Sequence, residues 1–224
     1  RNHKSRAYKQ KRKEKMKKIC FLILLCTLSF FGFAQNLFQY NGFSGGMMVH
    51  SGYLQSQDFT IATNNGQSLQ NLQAKGVPFG IGGAAKVHLG KYLRVGGEGY
   101  VSNLNYGEYN SIFSLSYGGV LVDCIWQNKR FSPYVGVLFG GGSTQNTTLF
   151  ASTPDDFIAE ENVSYRKNSF LALTPFVGVE YALNDKIRLT LKADYLLNLN
   201  SAPNDFASGV RVFIGFMFYR LKSE

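Results

Sequence analysis

Eight stretches of this chain alternate apolar and polar residues at period two, and each is long. They run from Phe43 to Tyr53, Phe79 to Leu89, Leu93 to Leu104, Ser111 to Trp126, Phe131 to Thr144, Ser169 to Leu183, Ile187 to Asn198 and Ala207 to Leu221. Such alternation puts successive side chains on opposite faces of a strand. Most of the runs match or exceed the roughly 9–11 residues a tilted strand needs to cross a bilayer, whereas strands of soluble sheets average about 5–6. The connections also alternate. Gly90-Lys91-Tyr92, Gln127 to Arg130 and Asn184-Asp185-Lys186 are tight turns, whereas strands one, three, five and seven are followed by longer polar segments, notably Leu54 to Pro78 and Gln145 to Asn168. Short turns at one end and long loops at the other predict an all-β fold: an eight-stranded antiparallel up-and-down transmembrane β-barrel with both chain ends on the short-turn, periplasmic side.

The two phases of the strands differ in character. One carries Met47, Val49, Ile81, Val87, Val95, Val101, Val135, Val137, Phe139, Leu171, Val177, Leu189, Leu191, Val210, Val212, Ile214 and Phe216, and in strand four Phe113, Leu115, Tyr117 and Leu121. The other carries Lys86, Arg94, Glu98, Glu180, Arg188, Lys192, Asp194 and Arg211 among glycines and hydroxyls. A cation on the lipid face costs about 2–4 kcal/mol at the bilayer midplane, a penalty that would enforce this segregation. Asp123, in phase with Leu121, is the exception. It is expected near the periplasmic interface, where the cost falls toward about 0–1 kcal/mol. A lipocalin-like soluble barrel has the same periodicity with the faces exchanged. Three features favour the membrane arrangement. The apolar phase has almost no polar interruption. Aromatics collect near strand ends (Tyr92, Trp126, Phe131, Tyr181 and Phe218 below; Tyr53, Tyr100, Phe113 and Tyr195 above), as an interfacial girdle would. The charged phase is glycine-rich, which suits a crowded interior.

On these residues the chain resembles the small eight-stranded outer-membrane β-barrel family, like the OmpA transmembrane domain and the OmpX-type proteins. RFSPYVGVLFGGG (Arg130 to Gly142) after a tight turn and VRVFIGFMF (Val210 to Phe218) carry the likeness, which covers residues 35–224. A leader ending GFAQ is similar to those of Bacteroidetes exported proteins. The resemblance implies residence in the outer membrane of a Gram-negative bacterium, contact with outer-membrane lipid and delivery by the barrel-insertion machinery. One departure is that the last strand is followed by Arg220-Leu221-Lys222-Ser223-Glu224, where that family usually ends in an aromatic.

Met16-Lys17-Lys18, an apolar run of 15 residues from Ile19 to Phe33, and Ala34 read as a signal peptide over 16–34. The run is shorter than the roughly 20 residues of a membrane helix. Residues 1–15 are expected to be a non-native upstream extension, and 35–224 the barrel domain. Of the 24 Lys and Arg, ten lie within residues 1–18 against one of the 14 acids, so the rest of the chain is nearly neutral. That excludes nucleic-acid binding through bulk charge. Downstream of the leader only Cys124 remains, so neither an intramolecular disulfide nor a cysteine zinc site is expected. No metal or cofactor is expected.

Eight strands enclose a lumen that side chains can fill. Buried charges persist when paired, so the eight charged residues are expected to form a structural ion-pair network. Glu180 would meet Arg188, Lys86 would meet Glu98 and Asp194 would meet Arg211, with a proton or small-ion path as the sharper alternative. His50 and His88 fall at opposite ends of the barrel and so do not form one catalytic site, and no enzyme is expected. The acidic residues Asp155, Asp156, Glu160 and Glu161 lack the spacing of a calcium loop. The expected role is structural or surface-interacting, with loops that bind a surface ligand or protein. An accessory barrel of a secretion system is one version by analogy. A lipocalin-like periplasmic carrier and a lipid-modifying outer-membrane enzyme are the alternatives.

Overall fold

The computed structural model describes residues 39–62, 68–128, 130–149, 163–200 and 203–222. The expected signal peptide and upstream extension lie outside them, as does the acidic segment 150–162. Eight long antiparallel strands dominate: β1 (Tyr40–Gln55), β2 (Phe79–Leu89), β3 (Leu93–Tyr106), β4 (Ser111–Ile125), β5 (Phe131–Leu149), β6 (Val163–Ala182), β7 (Ile187–Tyr195) and β8 (Ser208–Leu221). Each pairs with its neighbour in sequence, and β8 pairs with β1, which closes the ring. Ring closure pairs each barrel strand on both sides over the middle of the wall, the condition for a sheet to sit in lipid.

Local chemistry sets the lower turns. Gly90 takes φ +58° between β2 and β3. In the β6–β7 turn the Asn184 Oδ1 accepts the amide hydrogens of Lys186 (2.9 Å) and Ile187 (2.8 Å), so a side chain replaces the missing ladder partner. Near the start of β1 a bulge between Tyr40 and Gly42 is accommodated by Gly42 at φ +119°.

Three sequence expectations change. The β3–β4 connection is a four-residue turn, not a long loop: β3 runs on to Tyr106, which pairs with Ser111, and Gly107 and Asn110 adopt positive φ. β5 and β6 continue beyond Thr144 and above Ser169 as far as the pair Leu149↔Val163, so much of the expected loop is sheet. The segment between β1 and β2 holds a small hairpin, Phe59–Ala62 with Ser68–Leu72, plus Lys75–Gly76 paired back onto β1. Phe59 and Ile61 are buried, and the Phe59 ring meets Tyr106, an inward-facing residue at the outer end of β3. This loop therefore folds back on the barrel mouth.

Most of the outward face is apolar. Met47, Val101, Val135, Phe139, Val177, Leu191, Val212 and Phe216 are all exposed, while Arg94, Arg211 and Lys192 are among the largest fully buried side chains. The polarity is inverted relative to a water-soluble protein. In β4 the expected phase is reversed. Phe113, Leu115, Tyr117 and Leu121 point inward and are buried, and Ile112, Val120 and Val122 face out. Both phases of this strand are apolar, so hydrophobicity did not distinguish them. Asp123, expected on the outer wall, is 1% exposed inside the barrel. Tyr100 and Phe113, expected in the outer girdle, are likewise interior. Tyr53, Tyr92, Trp126, Phe131, Tyr195 and Phe218 are on the exterior.

Candidate functional site: the charged lumen

The interior is packed in layers along the barrel axis. Glycines facing inward make the room: a Cβ on Gly178 would meet Tyr134 Cζ at 2.4 Å, and one on Gly80 would meet the His50 ring at 2.2 Å. The bulky ring of one strand thus fills the gap left by its neighbour, which is how eight strands enclose rings and long charged chains without an open bore.

Arg94 is the hub of the layer nearest the short turns. It lies directly opposite Asp123 in the β3–β4 register. Its Nε and Nη2 donate to Asp123 Oδ1 (2.5 Å) and Oδ2 (3.1 Å), a bidentate pair. Its Nη1 donates to Glu180 Oε1 (2.6 Å) and to the Tyr219 hydroxyl (2.8 Å). Tyr219 in turn donates to Glu180 Oε2. Lys86 Nζ donates to Asp123 Oδ2 at 2.9 Å and stands over the Tyr134 ring. Arg188, at the lower rim, donates to Ser132 Oγ (3.0 Å), lies 3.9 Å from Glu180 and stacks on Tyr219. His88 and Ser44 share a hydrogen bond of 2.9 Å in the same region.

A second layer sits farther out. Lys192 pairs with Glu98 and lies 3.8 Å from Asp194. Arg211 Nε and Nη2 donate to Asp194 Oδ1 (2.9 Å) and Oδ2 (3.0 Å). Phe213 lies beneath Lys192 Nζ at 3.9 Å, and Tyr100 beneath the Arg211 guanidinium at 4.2 Å. His50 packs against Phe213 and Tyr100 with neither ring nitrogen hydrogen-bonded.

Hence all eight charged residues picked from the sequence lie inside the barrel, Arg188 at its lower rim, and two expected partnerships, Glu180 with Arg188 and Asp194 with Arg211, are in place. The third is not. Lys86 pairs with Asp123, while Glu98 pairs with Lys192 across the lumen. Sequence reasoning missed Asp123 because its phase was taken from Leu121. The lone acid in an otherwise uncharged strand was the usable signal. Five cations now meet four anions.

Above these layers the mouth is closed. Tyr117 donates to Ala172 O (3.0 Å) and stacks on Phe170, and Phe206 from the β7–β8 connection packs on Phe170. Asp205 beside it lies 3.5 Å from Arg166 and accepts from Asn146 (3.4 Å). Asn146 is buried there.

A closed ring of antiparallel strands with ionic groups inside and a hydrocarbon-compatible wall outside is a transmembrane β-barrel of the outer-membrane type. The lipocalin-like alternative fails on the same ground: its apolar lumen and charged exterior are the reverse of what is found. No protein-family model matches the chain, and no curated protein matches it. Among solved structures, it is similar to Ail, the attachment invasion locus protein of Yersinia pestis, in complex with the heparin analogue sucrose octasulfate (12% identity, 80% of this chain and 99% of that one, TM-score 0.49). It is also similar to Neisserial surface protein A (16%, 80% and 97%, TM-score 0.49) and to the outer membrane protein OprG from Pseudomonas aeruginosa (12%, 82% and 98%, TM-score 0.43).

Proposed function

We propose that this protein is an integral barrel of the Gram-negative outer membrane with a structural or surface-interaction role. Its lumen is a polar plug that holds the wall in shape. The observation that carries the reading is the inverted polarity: Arg94 and Arg211 are fully buried while valines, leucines and phenylalanines coat the outside. The outer ends of β5 and β6, with the folded-back segment between β1 and β2, form the platform from which surface contacts are made. The reading assigns no catalytic role. His88 and Ser44 lie sealed at about 1% exposure, and His50 is held between rings. The test is migration in detergent gels with and without boiling, combined with membrane fractionation. A heat-dependent shift and recovery in the outer membrane are expected. Recovery as a water-soluble periplasmic monomer would refute the proposal.

A further inference from the structure

The barrel wall is not uniform. β7 is the shortest barrel strand, and its ladder to β8 stops at Tyr195↔Val210. Beyond that point the chain leaves β8. Leu196 turns inward and is buried, Leu197 and Asn198 pair with Leu173 and Ala172 of β6, and the Leu199 amide donates to Leu171 O. β8 meanwhile stays with β1 up to Gln55↔Ser208. Two strand edges therefore face each other across a gap in the outer end of the wall.

The gap is a cleft of about 580 Å³ floored by Phe206 and flanked by the outward-facing Tyr53, Tyr195, Leu197 and Val210. That volume lies within the usual range of small-molecule sites, roughly 300–1,000 Å³. Its lining contains no charged side chain. It does contain a buried donor: among the described residues the Asn198 Nδ2 has no hydrogen-bond partner, although its Oδ1 accepts the Asn200 amide at 2.8 Å. A buried amide N–H left unpaired costs free energy, more so beside hydrocarbon, where no water is at hand.

Resting on the outer-membrane reading, we infer that this cleft is a lipid-binding site. It takes one acyl chain of an outer-leaflet lipid together with the ester or amide that joins the chain to its headgroup. Three features select that occupant. The cleft lies between two strands of the wall and is flanked by Tyr53, Tyr195, Leu197 and Val210, whose side chains are exposed on the wall's outer face. Tyr53 and Tyr195 set its height at the interface, where aromatic rings sit and where headgroup meets chain. Among the described residues the lining combines apolar side chains with the neutral polar groups of Gln55, Gln57, Asn198 and Ser208 and holds no cation, which suits a chain with a neutral carbonyl linkage and not a phosphate. The carbonyl oxygen would accept from Asn198 Nδ2 once that buried amide turns into the cleft, while the chain runs down past Val210.

The test uses the full barrel in vesicles of phosphatidylcholine in which a small fraction carries a diazirine at the end of one acyl chain. After irradiation, adducts are mapped by mass spectrometry. Labelling at Leu197, Phe206 and Val210 is expected to exceed that on the equally apolar wall at Val135, Phe139 and Val177 severalfold. Ser208→Phe, which fills the cleft, should remove the excess and leave the rest of the wall unchanged. Asn198→Ala should weaken retention about fivefold, the worth of one hydrogen bond. Uniform labelling of the wall in a correctly inserted barrel, or an excess that survives Ser208→Phe, would overturn the inference and leave the barrel reading intact. Failure of the protein to enter vesicles at all would overturn both.

Discussion

Asp123→Ala separates two placements of this residue by the sign of its effect. On the lipid-facing wall near the interface, losing the carboxylate would be neutral or stabilising by up to about 1 kcal/mol. Inside the lumen, Asp123 accepts two hydrogen bonds from Arg94 and one from Lys86, with all three groups buried. Removing one partner of a buried pair costs roughly 3–5 kcal/mol, because the remaining charge is left without compensation. Arg94 retains Glu180 and Tyr219, and Lys86 retains the Tyr134 and Phe176 rings and the attraction of Glu180. The loss should therefore fall at the lower end, about 3 kcal/mol. Asp123→Asn keeps the shape and one acceptor and should cost less. Combining Asp123→Ala with Lys86→Met should recover part of the loss. Reversible urea unfolding in vesicles, followed by the fluorescence of Trp126 and by gel migration, measures all of these. An Asp123→Ala barrel as stable as the parent would refute the interior placement and the hub built on it.

Gly178→Ala should destabilise the barrel by about 1–3 kcal/mol in the same assay, because the new methyl would overlap the Tyr134 ring. Tyr134→Leu in that background should relieve part of the clash. Val120→Arg, midway along the outward face of β4, should cost about 2–4 kcal/mol or block insertion; a cost below about 0.5 kcal/mol, the scatter of surface substitutions, would mean that this face does not meet lipid. Cys124 is exposed on the same face. In vesicles it should react with an apolar maleimide and resist a charged, membrane-impermeant thiol reagent added from outside.

Much of the fold was legible because lipid is an unforgiving solvent. Lys86, Arg94, Glu98, Glu180, Arg188, Lys192, Asp194 and Arg211 share a phase in strands two, three, six, seven and eight, and the same phase is where inward-facing glycines accumulate. Strand four was not legible. Phe113, Leu115, Tyr117 and Leu121 look like a lipid face, but the aromatic and branched residues of that phase fill the lumen between ion pairs. A barrel interior needs apolar packing as well as charge, so hydrophobicity alone has two solutions wherever both phases are oily. The β3–β4 register resolves it by setting Asp123 opposite Arg94, and that register depends on a tight turn at Gly107 to Asn110 that the polar composition disguised as a longer loop.

Periodicity, strand length and the cost of charge in hydrocarbon determined from the residues alone that this chain makes eight crossing strands with the ionic groups on the inside. Which cation meets which anion across the lumen was decided only by ring closure. Lys192 and Glu98 are 94 positions apart and touch because β3 and β7 face each other across the lumen, a distance that no local pattern encodes. The gap between β7 and β8 is likewise a tertiary fact. It exists because the chain after Tyr195 follows β6 while β8 stays with β1, so one ladder ends where two others continue.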